Sequence, residues 1–475
     1  MNPILIRNAQ LPGIGIRDVL LGDARILQIA EPGTIDASTA SEVIDAMQHA
    51  LLPGLHDHHL HLAALAVSAT SLDCSRHSSA EPLCEALSAA AMALPDQAWL
   101  RVIGYHESVA GEIDAAWIDA VVPNRPVRIQ HRGGRLWILN SAALAIVARG
   151  QDDPLERVNG KPTGRLYDAD RWLRSRLADA GEGGFPDLGR ISRELASRGI
   201  TAVTDTSAHN DVHTLAQFEI QVSDRQLLQK LHIMGNASLH RQQGRNVSVG
   251  AQKFHLLESA LPDLDGVIAA VSGAHAAGRA VAFHCVTRVE LAFALAAIRE
   301  AGVMDGDRIE HASVCPPEML EQIADLHLTV VTQPSLIHRR GDSYLQQVAT
   351  EDQSWLYRVR GLMDAGIPLA FSSDAPYGDP NPWLSMHAAV RRETRSGQLL
   401  LPQESVSPEQ AFAAWTGPLT SPGVWHTNLA EGDAADLCLL HCTWEQAAEN
   451  LAAVTVKSTW IAGQRVWQSG ESMPV

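Results

Sequence analysis

The feature of this sequence that most restricts its fold is a regular alternation of short apolar runs with Ala- and Leu-rich stretches between residues 201 and 373. The runs predict buried strands and the stretches between them predict helices, a combination that is typical of a parallel sheet. Seven such strands lie in this segment and one precedes it, so we expect an α/β fold, a (β/α)8 TIM-like barrel. The predicted strands are Gly54–His61, Thr201–Thr206, Lys230–Gly235, Ala251–His255, Ala280–Cys285, Arg308–His311, Leu328–Thr332 and Pro368–Ser373.

The rest of the chain predicts an insertion and a small second domain. The first strand lies far ahead of the second, and residues 65–195 carry strand and helix patterns of their own, so we expect a large insertion after strand 1 that forms a lobe over the barrel mouth. Both chain ends are rich in short β segments, and we expect residues 1–53 and 426–475 to pair into one small sheet domain beside a barrel of residues 54–425. The predicted C-terminal strands are Asp436–His441, Ala453–Val456, Thr459–Ile461 and Gln464–Trp467, with a hairpin turn at Ala462–Gln464.

Composition and charge exclude several classes of function. Hydrophobic residues make up 46% of the chain and charged residues 19%, which is typical of a folded globular protein. Acidic residues outnumber basic ones by 54 to 37, which argues against nucleic acid or an anionic membrane as a partner. The chain has no apolar run of spanning length and no signal-peptide pattern, so we expect a cytoplasmic protein.

A dense group of histidines ends the first predicted strand. The run reads Pro53-Gly54-Leu55-His56-Asp57-His58-His59-Leu60-His61. Alternate residues of a strand share a face, so His59 and His61 can bind one cation from the same side. Asp57, one step deeper on that face, could accept a hydrogen bond and orient an imidazole. His56 and His58 form the alternative pair, but the Pro-Gly offset favours His59 and His61.

Three further strands end in residues that suit the same cation. His284 lies at the end of the fifth strand, His311 at the end of the sixth and Asp374 just after the eighth. Barrel enzymes carry their catalytic residues at the C-terminal ends of the strands, so we expect these side chains to converge on the barrel axis. Imidazole and carboxylate are ligands of Zn²⁺ and similar divalent ions, and the pattern therefore predicts a metal site.

Several of these segments resemble the amidohydrolase superfamily, and in particular its YtcJ-like group of N-substituted formamide deformylase-like enzymes. The segments are Pro53–His61, Arg308–Ala312, Thr332–Pro334, Ala370–Pro376, Trp137–Leu144, Gly160–Gly164 and Gly432–Leu437. The resemblance implies a metal-dependent hydrolase with a barrel and a β-sandwich domain formed by both chain ends.

The resemblance also implies a carboxylated lysine at the end of the fourth strand, where Lys253 lies. A buried lysine beside two cations loses its proton readily and can react with CO₂ to form a bridging carbamate. Two Zn²⁺ ions per chain are then expected, although another divalent ion could take their place. The implied ligands are His59, His61 and Asp374 for the first ion, His284 and His311 for the second, and Lys253 as the bridge.

The predicted reaction is hydrolysis of an amide or cyclic amide C–N bond by attack of a metal-bound hydroxide. Asp374 would act as the catalytic residue, taking the proton of the hydroxide and returning it to the leaving nitrogen. We expect a small-molecule amide as substrate and, by analogy with the group, a homodimer. Arginine would suit a carboxylate on the substrate. The candidate substrate-binding residues are His131, Arg132, Arg135, His338 and Arg339.

Two alternatives stay open at this point. One is a mononuclear-metal aminohydrolase, that is, a deaminase, which needs a carboxylic acid soon after the fifth-strand histidine. The sequence from His284 to Glu290 contains no His-x-x-Glu pattern, which counts against deamination. The other alternative is a catalytically inactive ligand-binding barrel, because a fold does not by itself establish an activity.

Overall fold

The computed structural model describes residues 3–75, 77–148, 153–244 and 246–470. They form two compact units. The larger unit contains the described residues up to Leu62 and from Asp187 onwards, and the smaller unit is Ala63–Pro186. Among the helices of the described residues, none combines the length and the apolar character that a membrane crossing requires.

The larger unit is built around eight parallel strands that are hydrogen-bonded in chain order. The backbone N–H of Asp374, just after the last strand, donates to the carbonyl oxygen of His59 on the first at 2.8 Å. The sheet is therefore a nearly closed α/β TIM-like barrel, as predicted. The strands are β1 (Leu55–Leu60), β2 (Ile200–Asp205), β3 (Lys230–Gly235), β4 (Val247–His255), β5 (Val281–Cys285), β6 (Arg308–His311), β7 (Thr329–Thr332) and β8 (Leu369–Phe371).

All eight predicted strands are present, and the largest difference in their bounds is at β4, which begins at Val247 rather than Ala251. β2 and β6 are buried along their whole length. Burial on both faces explains why β2 does not alternate apolar and polar residues, whereas β6 buries the polar side chains of Arg308, Glu310 and His311. Close approach of β1 and β2 requires a glycine before β1. A Cβ atom on Gly54 would lie only 2.3 Å from Oγ1 of Thr201.

Helices follow most of these strands, as the sequence pattern predicts, but the described residues between β3 and β4 contain no helix. The helix that follows β5 begins with a capping box, in which Thr287 and Glu290 satisfy each other's backbone N–H groups. The helices of the larger unit are Gly189–Ala196, Val212–Ser223, Leu264–Ala276, Arg288–Ala301, Pro317–Asp325, Ser335–Gln347, Thr350–Gln353, Val359–Asp364, Pro382–Arg391, Pro408–Ala413 and Trp444–Glu449. Short 3₁₀ turns occur at Ala37–Thr39, Glu258–Ala260, Pro402–Glu404 and Leu451–Ala453, and a two-residue strand, Gln242–Gln243, pairs with β4.

The chain ends form two four-stranded sheets rather than a single one. Both sheets contribute to one hydrophobic core, in which Val19 and Leu21 of the first lie with Leu51, Leu437 and Trp460 of the second. In sheet order, the first contains Arg25–Ala30, Gly15–Gly22, Ile4–Leu11 and Glu42–Asp45, and the second contains Gln464–Gln468, Val456–Ile461, Leu437–Leu440 and Leu51–Pro53.

The C-terminal strands differ in one respect from the prediction. The strand predicted at Ala453–Val456 is wrong, because a 3₁₀ turn at Leu451–Ala453 precedes a strand that begins only at Val456. The predicted hairpin turn is confirmed. Ala462 and Gly463 have φ values of 49° and 76°, the left-handed pair that a two-residue hairpin turn requires.

The smaller unit has its own six-stranded sheet and its own apolar cores. The apolar runs Trp99–Tyr105 and Pro126–His131 predict two strands here. Both are present, side by side and parallel, so that Tyr105 at the end of one lies opposite His131 at the end of the other. In sheet order the strands are Leu155–Val158, Lys161–Tyr167, Leu136–Leu139, Val127–His131, Leu100–Tyr105 and Leu72–Asp73. The helices are Leu62–Ala69, Ala80–Ala93, Glu107–Ala110, Ala115–Val121, Ser141–Val147 and Asp170–Asp179.

Candidate metal centre

Three predicted metal ligands come together at the C-terminal ends of β1 and β8. Nε2 of His59 lies 3.5 Å and Nε2 of His61 lies 3.3 Å from the same oxygen, Oδ1 of Asp374. One potential ligand atom from each residue lies within 4.8 Å of the others. We call these three residues the barrel cluster. Their geometry follows from the two-residue period of β1 and from the contact between β1 and the chain after β8.

The second nitrogen of each imidazole in the barrel cluster is already hydrogen-bonded. Nδ1 of His59 lies 2.6 Å from Oε2 of Glu310, and Nδ1 of His61 lies 2.9 Å from Oγ of Ser207. A carboxylate oxygen can only accept, so Nδ1 of His59 carries the proton and its Nε2 carries a lone pair. This leaves Nε2 of His59 as the atom that can bind an ion.

The carboxylate that orients His59 is Glu310 and not Asp57, so the role suggested for Asp57 is wrong. Oδ1 of Asp57 instead accepts the backbone N–H groups of Ser373, at 3.0 Å, and of His59, at 3.3 Å. Burial raises the pKa of Asp57 to about 7, against the hydrogen bonds from Ser373. Asp57 therefore ties β1 to the chain beside β8 through the backbone.

The remaining predicted ligands lie next to the barrel cluster. The ring centroid of His311 lies 4.7 Å from that of His59 and 4.4 Å from that of His284. Nδ1 of His311 donates to Oε1 of Gln333 at 2.6 Å, because the amide nitrogen of Gln333 is donating elsewhere. Nε2 of His311 and Nζ of Lys253 are buried and have no hydrogen-bond partner among the described residues. Such atoms suit an ion that they can coordinate.

His56 and His58, the alternative histidine pair on β1, do not take part in the barrel cluster. Nδ1 of His56 contacts the carbonyl oxygen of Gly417. His58 is fully buried, and its ring lies 5.8 Å from that of His56, between centroids. In the described part of the chain, neither residue belongs to a group of three potential ligand atoms.

Burial sets the charge states that metal binding needs. It lowers the pKa of His59 to about 3, with a contribution from Lys253, so this imidazole is neutral near pH 7. Burial also lowers the pKa of Lys253 to about 8, although Glu310 acts to raise it. For Asp374 burial acts to raise the pKa, but the hydrogen bond with His61 and the nearby imidazoles outweigh it and lower the pKa to about 2.

Two of these residues have strained backbone. His311 has φ = 69° and Asp374 has φ = 55°, values in the left-handed region that non-glycine residues rarely adopt. Such strain costs roughly 1–3 kcal/mol per residue and persists where the surroundings hold the chain. The carbonyl oxygen of Asp374 accepts N–H groups from Tyr377 and Gly378, at 2.8 and 3.0 Å, which keeps the turn in place.

Sequence reasoning did not assign several residues that the structure places at this site. Glu310, Gln333 and Ser207 hydrogen-bond to imidazoles, as described above. His255 is exposed at the end of β4, and its ring centroid lies 4.4 Å from that of His284. Tyr377 is 53% exposed, with its ring edge-on to His61 at 5.6 Å. His255 gave a usable signal, because it lies two residues after Lys253 on the same strand, and Glu310 and Gln333 lie inside segments that carry the family resemblance.

The predicted substrate-binding residues lie in two groups. In the smaller unit, Arg132 and Arg135 are exposed, and Arg135 makes a two-pronged ion pair with Asp168, at 2.7 and 2.6 Å. In the larger unit, His338 and Arg339 are exposed on the helix after β7. Their roles stay predictions.

The smaller unit contains a second group with potential ligand atoms within 4.8 Å, formed by His106, Glu107 and His131. His131, a predicted substrate-binding residue, has Nε2 3.0 Å from Oε2 of Glu107, and Nε2 of His106 lies 3.6 Å from Oε1. Nδ1 of His131 accepts the backbone N–H of Gly133, at 3.0 Å, and Nδ1 of His106 accepts that of Ser108, at 3.2 Å. We call His106, Glu107 and His131 the hydrogen-bonded trio.

The residues of the barrel fit a divalent metal centre. The barrel cluster provides two nitrogen atoms and one carboxylate oxygen, a donor set that suits Zn²⁺. Nε2 of His311 and Nζ of Lys253, which are buried without a hydrogen-bond partner among the described residues, provide further donors beside it. His59 and His311 are both held in the tautomer that leaves Nε2 able to coordinate.

The sequence profile of the Amidohydrolase family matches residues 42–467. The chain therefore belongs to the amidohydrolase family, a class of metal-dependent hydrolases. Within it, the chain falls in the YtcJ-like group. It is 25% identical to the N-substituted formamide deformylase of Arthrobacter pascens, over 88% of each chain. It is 24% identical to the YtcJ protein of Bacillus subtilis (strain 168), over 91% of each.

The fold is also that of solved structures. An uncharacterised metal-dependent hydrolase from Pyrococcus horikoshii OT3 superposes with a TM-score of 0.73. The match covers 92% of this chain and 96% of that chain, at 18% sequence identity. This likeness extends over both units of the chain and supports the barrel architecture.

Proposed function

We propose that this protein is an amidohydrolase that cleaves a carbon–nitrogen bond other than a peptide bond, in an amide or a cyclic amide. The observation that carries the proposal is the barrel cluster, in which two imidazole Nε2 atoms face one carboxylate oxygen at 3.5 and 3.3 Å. Similarity to an N-substituted formamide deformylase supports an amide as the substrate class.

We assign two metal ions per chain, with zinc as the expected ion. Bound divalent ions supply two effects in such a centre, a lower pKa for water and polarisation of the carbonyl group that is attacked. The buried donors of the barrel suit this arrangement, because burial lowers the pKa values of His59 and His311, which keeps these two imidazoles neutral, and the carboxylate of Asp374 is ionised. The proposed ligands are His59, His61 and Asp374 for one ion, His284 and His311 for the other, and Lys253 as the bridge.

The bridging role of Lys253 requires its carboxylation. In this reaction the neutral amine forms an N–C bond with CO₂ and releases one proton, which leaves a carbamate anion. Burial favours the neutral amine, since it lowers the pKa of Lys253 to about 8. The position of Lys253 beside the barrel cluster, without a hydrogen-bond partner among the described residues, supports the proposal.

Asp374 is the proposed general base and acid. Its carboxylate is ionised near pH 7, because its pKa is lowered to about 2, and its Oδ1 faces Nε2 of both His59 and His61. It would accept a proton at Oδ1 as water attacks the carbonyl carbon and donate that proton to the leaving nitrogen. Glu310 and Ser207 hold the two imidazoles in place while the proton moves.

Deamination is the less favoured alternative, because the carboxylate that follows His284 is already engaged with the backbone. The first carboxylate after His284 along the chain is that of Glu290, which is buried and accepts the backbone N–H groups of Val286 and Glu258 at 2.8 and 2.9 Å. Its oxygens therefore hold the start of a helix. A deaminase needs an acid that can protonate a ring nitrogen of the substrate.

The finer architecture also belongs to this proposal. We infer that residues 1–53 and 426–475 form a β-sandwich domain, which the shared core of the two terminal sheets supports. Residues 54–425 would form the barrel, with an insertion lobe at 65–195. A small-molecule substrate, a homodimer and a cytoplasmic location are the expectations that accompany it.

Metal analysis combined with a substrate screen tests the proposal. We expect about two divalent ions per chain and turnover of a formamide, an N-acyl amino acid or a cyclic amide. One ion per chain with release of ammonia from an amino-substituted ring would favour the deaminase instead. Binding of amides without turnover, unchanged in Asp374→Asn, would favour the inactive ligand-binding barrel.

A further inference from the structure

We propose that Glu310 is a positioning residue of the metal centre, which fixes the tautomer and the orientation of His59 and is itself held by Arg308. The inference rests on the proposed function, because it concerns a residue that acts through a metal ligand. Glu310 is fully buried on β6, directly before His311.

The two oxygens of Glu310 have separate partners. Oε2 accepts from Nδ1 of His59 at 2.6 Å, and Oε1 accepts from Nε of Arg308 at 2.7 Å. Nζ of Lys253 lies 3.6 Å from Oε1. One carboxylate therefore contacts a proposed ligand of the first ion and the proposed bridge.

Arg308 strengthens this arrangement at a second point on β1. Its Nη2 donates to the carbonyl oxygen of His58 at 3.0 Å, while its Nε holds Glu310. The pair Arg308 and Glu310 thus contacts the backbone of one residue of β1 and the imidazole of the next. Both the strand end and the ring of His59 are fixed relative to β6.

The charge of Glu310 determines which group is the donor in its hydrogen bond with His59. Its Oε1 is occupied by Nε–H of Arg308 at 2.7 Å, and a guanidinium can only donate and is always charged, so it pairs with a carboxylate anion. An ionised carboxylate can only accept, so the Nδ1–H tautomer of His59 is favoured and Nε2 keeps its lone pair. Outer partners of this kind typically change metal affinity by about 10- to 100-fold when they are removed.

The test compares Glu310→Gln with a control at a second buried glutamate, Glu404→Gln. Glu404 lies 3.4 Å from an arginine, Arg358, and accepts the backbone N–H of Gly361 at 2.9 Å, which makes it a matched ion pair in another part of the barrel. We measure Zn²⁺ affinity by competition with a chelating dye, the visible spectrum of the Co²⁺-loaded protein, and thermal unfolding of each variant.

We expect Glu310→Gln to weaken Zn²⁺ binding by about 10- to 100-fold and to change the Co²⁺ spectrum, because a glutamine cannot accept from His59 and from Arg308 at once. Glu404→Gln should match the wild type in both measurements, whatever it does to thermal unfolding. If Glu310→Gln does not fold, Arg308→Lys takes its place, since a lysine cannot hold Glu310 and the His58 carbonyl in the same geometry.

The outcomes separate the two hypotheses. A folded Glu310→Gln with wild-type Zn²⁺ affinity and an unchanged Co²⁺ spectrum would overturn the positioning role and leave the proposed function intact. A wild-type protein that binds neither Zn²⁺ nor Co²⁺ would overturn the proposed function, and the positioning role with it.

Discussion

The barrel cluster and the hydrogen-bonded trio contain similar kinds of residue at similarly short distances, yet they differ in what they can bind. Each consists of two histidines and a carboxylate whose potential ligand atoms lie within 4.8 Å of one another. Each also includes histidines at the ends of parallel strands. By residue type and distance alone, both would count as metal sites.

The difference lies in the partner of Nδ1. In the barrel, Nδ1 of His59 faces the carboxylate of Glu310, which can only accept, so the lone pair is on Nε2. In the trio, Nδ1 of His131 and of His106 accept backbone N–H groups, which can only donate. The proton of each neutral imidazole is therefore on Nε2, the atom that faces Glu107. Nε2–H of His131 donates to Glu107 at 3.0 Å, and Nε2 of His106 lies 3.6 Å from the same carboxylate. A cation there would displace those protons.

Burial adds to the contrast. The side chain of His59 is 1% exposed, whereas that of Glu107 is 57% exposed and lies in water. Water competes with the exposed carboxylate for any ion, and it screens the charges as well. The comparison indicates that a metal site is defined by the partner of Nδ1 of each imidazole as much as by the groups that face Nε2.

The largest effect should come from Asp374→Asn. The amide keeps the shape of the side chain but cannot take up a proton near pH 7, so kcat should fall by about 10²- to 10⁴-fold. The measurement is steady-state turnover of whichever amide the screen identifies, with substrate binding followed separately. Substrate conversion that survived this change would show that the barrel cluster is not the reacting site.

Replacing one imidazole in each region tests the comparison directly. His61→Ala should lose about one bound ion per chain, because it removes a ligand atom 3.3 Å from Asp374. His106→Ala, its counterpart in the trio, should keep the wild-type metal content. Elemental analysis after dialysis against metal-free buffer decides between the two, and a loss of metal in His106→Ala would contradict our assignment of the trio.

A smaller effect is expected at Gln333, which orients His311 as Glu310 orients His59. In Gln333→Leu, Nδ1 of His311 loses the acceptor that it has at 2.6 Å, and either tautomer becomes accessible. We expect a loss of Zn²⁺ affinity of about 10-fold, at the lower end for outer partners, since the lost acceptor is neutral. Equal Zn²⁺ affinity in Gln333→Leu and the wild type would show that only a charged acceptor at Nδ1, such as Glu310, matters for metal binding.

The sequence was sufficient to predict the barrel strands and the three residues of the barrel cluster, which the structure brings together at the strand ends. Period-two alternation placed His59 and His61 on one face, and the rule that sites form at strand ends added Asp374. Period-two alternation failed at Glu310, because it places neighbouring side chains on opposite faces of a strand and would have turned Glu310 away from His311. The structure has both buried, since β6 is covered on both faces and its last residue, His311, turns at φ = 69°.

Contacts formed by folding explain the wrong role predicted for Asp57 and a feature of the trio that the sequence could not predict. Asp57 accepts a backbone N–H from Ser373, more than 300 residues away, and nothing in the run around Asp57 encodes that partner. The choice of tautomer in the trio depends on the turn at Gly133, whose N–H points at the ring of His131. These hydrogen-bond partners depend on the folded positions of other segments, which local sequence patterns do not encode.

The smallest effect should come from Glu107→Gln, and it is the one that could break the comparison. If the trio were a metal site, loss of its only carboxylate would lower the metal content and the Zn²⁺ affinity. We expect neither to change, because a glutamine oxygen can still accept Nε2–H of His131 and the exposed pair is screened by water. Metal analysis beside wild type and His61→Ala is the measurement. A Glu107→Gln protein that lost an ion would mean that backbone donors at Nδ1 do not prevent metal coordination. The tautomer of His59, which Glu310 fixes, would then not explain why the barrel cluster binds an ion.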